Sequence, residues 1–420
     1  MNKHDTVTQD LVLDFEAARE RLTGVVRRTA LEFNPGLSEK YRCEVYLKRE
    51  DQQLVRSYKL RGAYNLISSL TTEQLSRGVV CASAGNHAQG VAFSCRKLNT
   101  RGVIFMPGIT PRQKVSQTAM FGKDRVEIVL TGDTFDDCLQ EALNYNAVHG
   151  LTFIPPFDHP GIIEGQGTVG AEIFDDLPDA DVVIMPVGGG GLAAGAGSYL
   201  RRVSPGITLI GAEPSGAASM TAALEAGAPV SLPVINRFVD GAAVKQVGQL
   251  NFAICRELLD RVVLVPEGKV CSTILKLYNE DALVAEPAGA LSVAALEQVA
   301  DRIAGKKVVC VISGGNNDID RMQEIKELSL LYEGLKHYFI IRFPQRPGAL
   351  KQFVNQVLGP EDDITRFEFI KKTERERGPA LVGIELKSAG DYPSLLARMT
   401  RHRFDFKEIN NDHTLFEYLI

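Results

Sequence analysis

Along the first three quarters of the chain, apolar residues fall into short unbroken runs, and between them lie stretches whose apolar positions recur at helical spacing. Leu13, Phe15, Ala18 and Leu22 mark the first helical stretch, within residues 11–25. Unbroken, largely β-branched runs follow at 45–47, 79–81, 102–107, 126–130, 181–186, 207–211 and 308–312. Runs without alternation predict strands buried on both faces, and a repeating strand and helix order predicts a mainly parallel sheet with helices on both sides. The expected fold class is therefore α/β.

Near residues 328–334 the rhythm changes. The pattern then predicts strand 337–343, helix 348–357, strands 364–371 and 380–387, helix 392–402 and strand 404–409, with the charged turn 373–379 as a hairpin tip. This βαββαβ order is that of a ferredoxin-like module. The simplest partition is a catalytic body over residues 1–330, with a smaller subdomain at about 57–155 inserted in it, and an appended domain at 334–420.

Composition narrows the function. Forty-seven Lys and Arg against fifty-two Asp and Glu give a net charge of −5 over 420 residues, which argues against nucleic acid as a partner. Residues 1–10 are polar, and no stretch approaches the roughly 18 apolar residues of a membrane span, so a soluble, cytoplasmic protein without a membrane partner is expected. The seven cysteines (Cys43, Cys81, Cys95, Cys138, Cys255, Cys271, Cys310) are scattered, with neither a CxxC pair nor zinc-ligand spacing. They read as buried thiols in a reducing compartment.

The chemistry lies in polar loops after the strands. Gly188, Gly189, Gly190, Gly191 and Leu192 follow run 181–186 and open a helical segment, a turn that lets backbone N–H groups approach a phosphate. Gly189 to Gly191 with Gly195 also imitates a dinucleotide fingerprint closed by Glu213, so a nicotinamide dehydrogenase is the rival reading. The fingerprint usually occupies the first βα turn, whereas here several βα units come earlier. Lys59 begins a helix after run 45–47, where the dipole disfavours a cation and favours a neutral amine, the form a Schiff-base nucleophile needs. The loop Ser83, Ala84, Gly85, Asn86 and His87 suits a carboxylate and a polar ring substituent, although Ser83 alone could be a helix cap and His87 a satisfied core histidine. Ser313, at the end of run 308–312, offers a hydroxyl to a ring nitrogen. All these loops are expected at the C-terminal ends of strands in one sheet, converging on pyridoxal phosphate (PLP).

At this point the chain resembles the fold type II PLP enzymes, and most closely the threonine dehydratase (threonine ammonia-lyase) family in its short biosynthetic form. The resemblance covers nearly the whole length, through residues 48–51, 57–63, 83–90, 106–107, 110–111, Lys114, 165–167, 188–192, 211–214, 286–290 and 313–316. It implies that Lys59 forms the internal aldimine, that Asn86 bonds the ring hydroxyl, that Gly188 to Leu192 hold the phosphate and that Ser313 meets the pyridine nitrogen. The loop from Ser83 to His87 would bind the substrate carboxylate. The freed Lys59 amine would take the Cα proton, and the cofactor phosphate with Ser83 nearby would protonate the departing hydroxyl. The implied reaction converts L-threonine to 2-oxobutanoate and ammonia, with L-serine a slower substrate. The tail resembles a single ACT-like regulatory domain with residues 346–350 at its first turn, which implies isoleucine as feedback inhibitor and a homotetramer. Some relatives bind a cation with an acidic residue six positions after the Glu of the 211–214 motif. Ser219 stands there, and no metal is expected. Serine racemases and catabolic deaminases share the pocket residues but generally lack the appended domain.

Overall fold

The computed structural model describes residues 11–369 and 376–420. The chain forms two compact units that divide between Ile319 and Asp320.

Among the described residues the first unit holds ten strands: β1 (Leu31–Phe33), β2 (Glu44–Arg49), β3 (Val79–Ala82), β4 (Gly102–Met106), β5 (Val126–Leu130), β6 (Thr152–Phe153), β7 (Val182–Pro186), β8 (Thr208–Pro214), β9 (Arg261–Val265) and β10 (Lys307–Ile312). They build two sheets, not one. The larger has the order β1-β2-β10-β7-β8-β9, parallel except for β1; the smaller, β5-β4-β3-β6, is parallel throughout. The expectation of one sheet is thereby corrected. After β2 the chain leaves the large sheet, completes the small one and returns at β7. Residues 79–81 and 308–310 read Val-Val-Cys alike, and all are buried. Apolar runs of this kind announce burial on both faces and say nothing of which strand lies alongside.

The first helix is shorter than its apolar pattern, running only Phe15–Leu22; Asp14 accepts from the Ala17 N–H at its start, and Gly24 takes φ +72° just past its end. The seven cysteines are buried thiols outside any disulfide, and burial pushes the Cys95 thiol up to about 12 and that of Cys138 up to about 11.

A buried ion cluster fixes the chain around the start of the helix Lys59–Ser68. Arg61 donates to both oxygens of Glu50 at 2.7 and 2.8 Å and to both oxygens of Glu172 at 2.7 and 2.9 Å. Lys48 of β2 donates to Glu172 at 2.6 Å and to the Thr29 carbonyl at 2.7 Å. Arg61, Lys48 and Glu50 have no solvent exposure. Two cations face two carboxylates with their hydrogen bonds satisfied, the condition under which buried charge is tolerated.

In the second unit the helix Met322–Tyr332 precedes β11 (Lys336–Pro344), β12 (Asp363–Phe369), β13 (Arg377–Glu385) and β14 (Asp405–Glu408). The sheet order β12-β13-β11-β14 is antiparallel at every step, with helices Ala349–Gln356 and Tyr392–Arg401 between strands, as the ferredoxin-like order requires. Phe339, Ile341, Phe353, Val382, Leu395 and Met399 form its core. Residues 373–375 of the expected hairpin tip, and 370–371 of the strand before it, lie outside the described residues. A final helix, His413–Leu419, was not expected: Asp412 caps it through the Leu415 N–H, and Leu415 and Phe416 pack with Tyr338 and Leu381.

Candidate active site

Four stretches of the first unit come together through direct contacts. The Tyr58 N–H donates to the Ser313 carbonyl at 3.2 Å, and Ser57 pairs with Gly314. This sets the end of β10 against the start of the Lys59 helix. Lys59 is the first residue of that helix, and its Nζ donates to the Pro156 carbonyl at 2.8 Å and lies 6.0 Å from the Phe157 ring centre. The Phe157 ring in turn rests on Gly189, where a Cβ would lie only 2.4 Å from ring carbons. Asn86 reaches the same place from the small sheet: its Nδ2 donates to Glu286 at 2.6 Å, and the Nδ2 of Asn316 donates to its Oδ1 at 2.7 Å.

Lys59 is half-buried, walled by protein on most sides. That desolvation lowers its amine from the ordinary lysine value to about 8, against an opposing pull from the Glu286 carboxylate. The helix start also carries no side-chain cap, so the dipole adds to the bias against a cation.

The glycine turn follows β7 directly. Gly190 takes φ +89° as the cap of helix Gly191–Val203, a backbone only glycine adopts at no steric cost, and no side chain caps the first N–H groups of that helix. Asn251 Nδ2 donates to the Gly189 carbonyl at 2.7 Å. A trans peptide directs C=O and N–H oppositely, so the Gly190 N–H points away from Asn251. A Cβ on Gly188 would sit 2.8 Å from the Ala242 backbone. Only bare backbone fits, and it presents donors and a dipole suited to an anion. Ser313 is buried, and its hydroxyl has no partner among the described residues.

In the loop after β3, Ser83 Oγ accepts from the Gly85 N–H at 3.2 Å. Ser83, Ala84, Gly85 and Asn86 are half-buried, and a Cβ on Gly85 would meet nothing within 4 Å. Gly85, not Ser83, occupies the cap position of helix Asn86–Leu98, whose first N–H groups have no side-chain cap. The His87 ring is buried, and its Nε2 lies 2.9 Å from the Ile154 carbonyl. Burial and the Lys59 charge hold that imidazole neutral, down to about 3. What His87 can offer an anion is its backbone N–H.

A model of the family described as "Pyridoxal-phosphate dependent enzyme" matches residues 22–314, and a model of the "C-terminal regulatory domain of Threonine dehydratase" matches residues 327–419. The biosynthetic L-threonine dehydratase of Halalkalibacterium halodurans is 57% identical over 408 residues, covering 97% of this chain and 98% of that protein. That of Bacillus subtilis is 56% identical, covering 96% of each. The chain belongs to the threonine dehydratases. Its cofactor is PLP, and the nicotinamide reading of the glycine turn is set aside. Among solved structures, the processed threonine deaminase isoform 2 of Solanum lycopersicum matches with a TM-score of 0.70 at 40% identity, over 76% of this chain and 97% of that one. Maize serine racemase matches with a TM-score of 0.71 at 28% identity, over 77% and 99%.

For a threonine dehydratase, three groups at the site are absent from the sequence reading as individual residues. Asn251 had no signal, because it acts through partners far away in the chain, whereas Asn316 lies in the 313–316 motif but without a role of its own. Glu286 did have one: it opens the 286–290 motif and is the lone charge in the stretch 282–296. Glu213, in contrast, points its carboxylate into the helix Ser219–Ala226, accepting from the N–H groups of Met220 and Thr221 at 2.6 and 2.9 Å. Among the described residues no group of three or more His, Cys, Asp and Glu is placed to hold a metal, and no helix is long and apolar enough to cross a membrane.

Proposed function

We propose that this chain is a cytoplasmic, PLP-dependent threonine ammonia-lyase that converts L-threonine to 2-oxobutanoate and ammonia, and that isoleucine inhibits it through the second unit. The observation that carries the reading is one chain of contacts: Lys59 against Phe157, Phe157 against Gly189, and Tyr58 against Ser313. It sets a weakened amine, an anion-binding turn and a partnerless hydroxyl around one space, the donor set a phosphorylated pyridine ring requires.

When bound, PLP supplies an electron sink conjugated to the substrate nitrogen. Gly188 to Leu192 hold its phosphate, Asn86 meets its ring hydroxyl, and Ser313 meets its ring nitrogen with a neutral group. The uncapped helix start at Asn86, together with Ser83, Ala84, Gly85 and the His87 N–H, receives the substrate carboxylate. The Lys59 amine, neutral above about pH 8, removes the Cα proton. The Ser83 hydroxyl accepts from Gly85 and so keeps its own proton free for the departing β-oxygen. Released aminocrotonate then loses ammonia in water. Serine lacks one methyl, a difference apolar pockets discriminate by about 1–3 kcal/mol, so L-serine is a slower second substrate.

In the second unit a cavity of about 360 Å³ opens at the turn between β11 and helix Ala349–Gln356, lined by Phe343, Arg346, Gly348, Leu350, Phe367 and Phe369. Apolar walls beside a guanidinium suit a branched amino acid. We infer a homotetramer, as the resemblance implies. The test needs only the purified chain: L-threonine is added with no nucleotide present, and 2-oxo acid is measured. Yellow protein and steady 2-oxobutanoate support the proposal, whereas D-serine from L-serine without 2-oxo acid identifies a racemase instead.

A further inference from the structure

Glu286 stands at the cap position of the helix Pro287–Ala294, yet its carboxylate does not cap that helix. It is buried and turned the other way, where Oε1 accepts from Asn86 Nδ2 at 2.6 Å and lies so close to Gly314 that a Cβ there would stand 2.2 Å from it. The Asn316 backbone favours the charged form of this carboxylate. From the opposite side Asn316 Nδ2 donates to Asn86 Oδ1 at 2.7 Å. The Asn86 amide is therefore gripped at both ends, by an acceptor at its nitrogen and a donor at its oxygen. One N–H remains, and its direction is fixed.

An amide without such a grip can turn over and offer its oxygen to a ring hydroxyl or phenolate. The charged groups facing Glu286 are Lys59, whose amine it stabilises as a cation, and Asp240 and Lys114, which pair with each other at 2.5 Å. Burial, then the Asp240 charge, push the Glu286 carboxyl up to about 7, against the Asn86 bond. We propose that Glu286 is a positioning residue that orients the Asn86 amide toward the cofactor's ring oxygen, its carboxylate charge acting across the site on the Lys59 nitrogen. This deepens the proposed function and rests on it.

The test is the pH titration of the visible absorption band of the holoenzyme, with Glu286→Gln and the more conservative Glu286→Asp. Removing the charge destabilises a protonated nitrogen at Lys59, so the midpoint in Glu286→Gln falls by about one pH unit, the size expected of a neighbouring charge. Glu286→Asp keeps the charge and shifts the midpoint less. In parallel kcat falls about tenfold or more in Glu286→Gln while KM for L-threonine changes under threefold, and Asn86→Ala makes the further loss from Glu286→Gln smaller. An unchanged titration in both Glu286 variants, or losses from Asn86→Ala and Glu286→Gln that simply multiply, overturns the inference. Absence of a visible band in the wild-type protein overturns the proposed function instead, so the two failures are distinct.

Discussion

Lys59 is useful to a PLP enzyme only as a free base, and the fold makes that form accessible by desolvating it at an uncapped helix start. Two outcomes follow at this scale. Lys59→Ala yields a colourless protein without turnover; borohydride reduction of the wild-type holoenzyme and peptide mapping place the label on Lys59. Recapture of PLP by the stripped chain rises with pH through about 8, some two units below an ordinary lysine, because only the unprotonated amine attacks. A capture rate flat from pH 6 to 10 contradicts this. His87 shows how far a neighbour in sequence can mislead: it lies in the loop proposed to receive the substrate, but its ring is spent on Ile154.

The turn after β7 and the loop after β3 respond differently to a single methyl group. Gly188→Ala drives a Cβ against the Ala242 backbone, which cannot swing aside as a side chain would, at a cost of about 1–3 kcal/mol. PLP affinity in equilibrium dialysis should fall about tenfold, whereas Gly85→Ala, meeting open space, leaves PLP affinity intact and raises KM for L-threonine. Arg61→Leu strands the Glu50 carboxylate in the interior, leaves Glu172 with Lys48 as its cationic partner, and lowers unfolding free energy by about 3–5 kcal/mol, measured by denaturant titration. These local features were readable in advance to different degrees. Four successive glycines after an apolar run announce an anion turn on their own, and Lys59 and Asn86 stand out through the motifs around them. Sheet membership was not readable, since the Val-Val-Cys runs of β3 and β10 are alike and register depends on distant partners. The Asn251 and Glu286 contacts were hidden for the same reason: Glu286 lies two hundred residues from Asn86.

At the scale of the whole molecule, the chain joins a catalytic unit to a regulatory one, and the βαββαβ order of the second was legible because each element announces itself locally. A chain ending at Ile319 should turn over L-threonine and lose its response to isoleucine; an insoluble or inactive product assigns the second unit to assembly instead. Regulation of this kind needs the effector to favour one state, typically with a coupling of about 1–3 kcal/mol. The distribution of thiols offers a way to watch the two units separately. All seven cysteines precede Asp320, none follows it, and in the folded chain all are shielded. A maleimide added to the native protein therefore acts as a clock that ticks only when the catalytic half opens, and melting of the regulatory half alone leaves it silent.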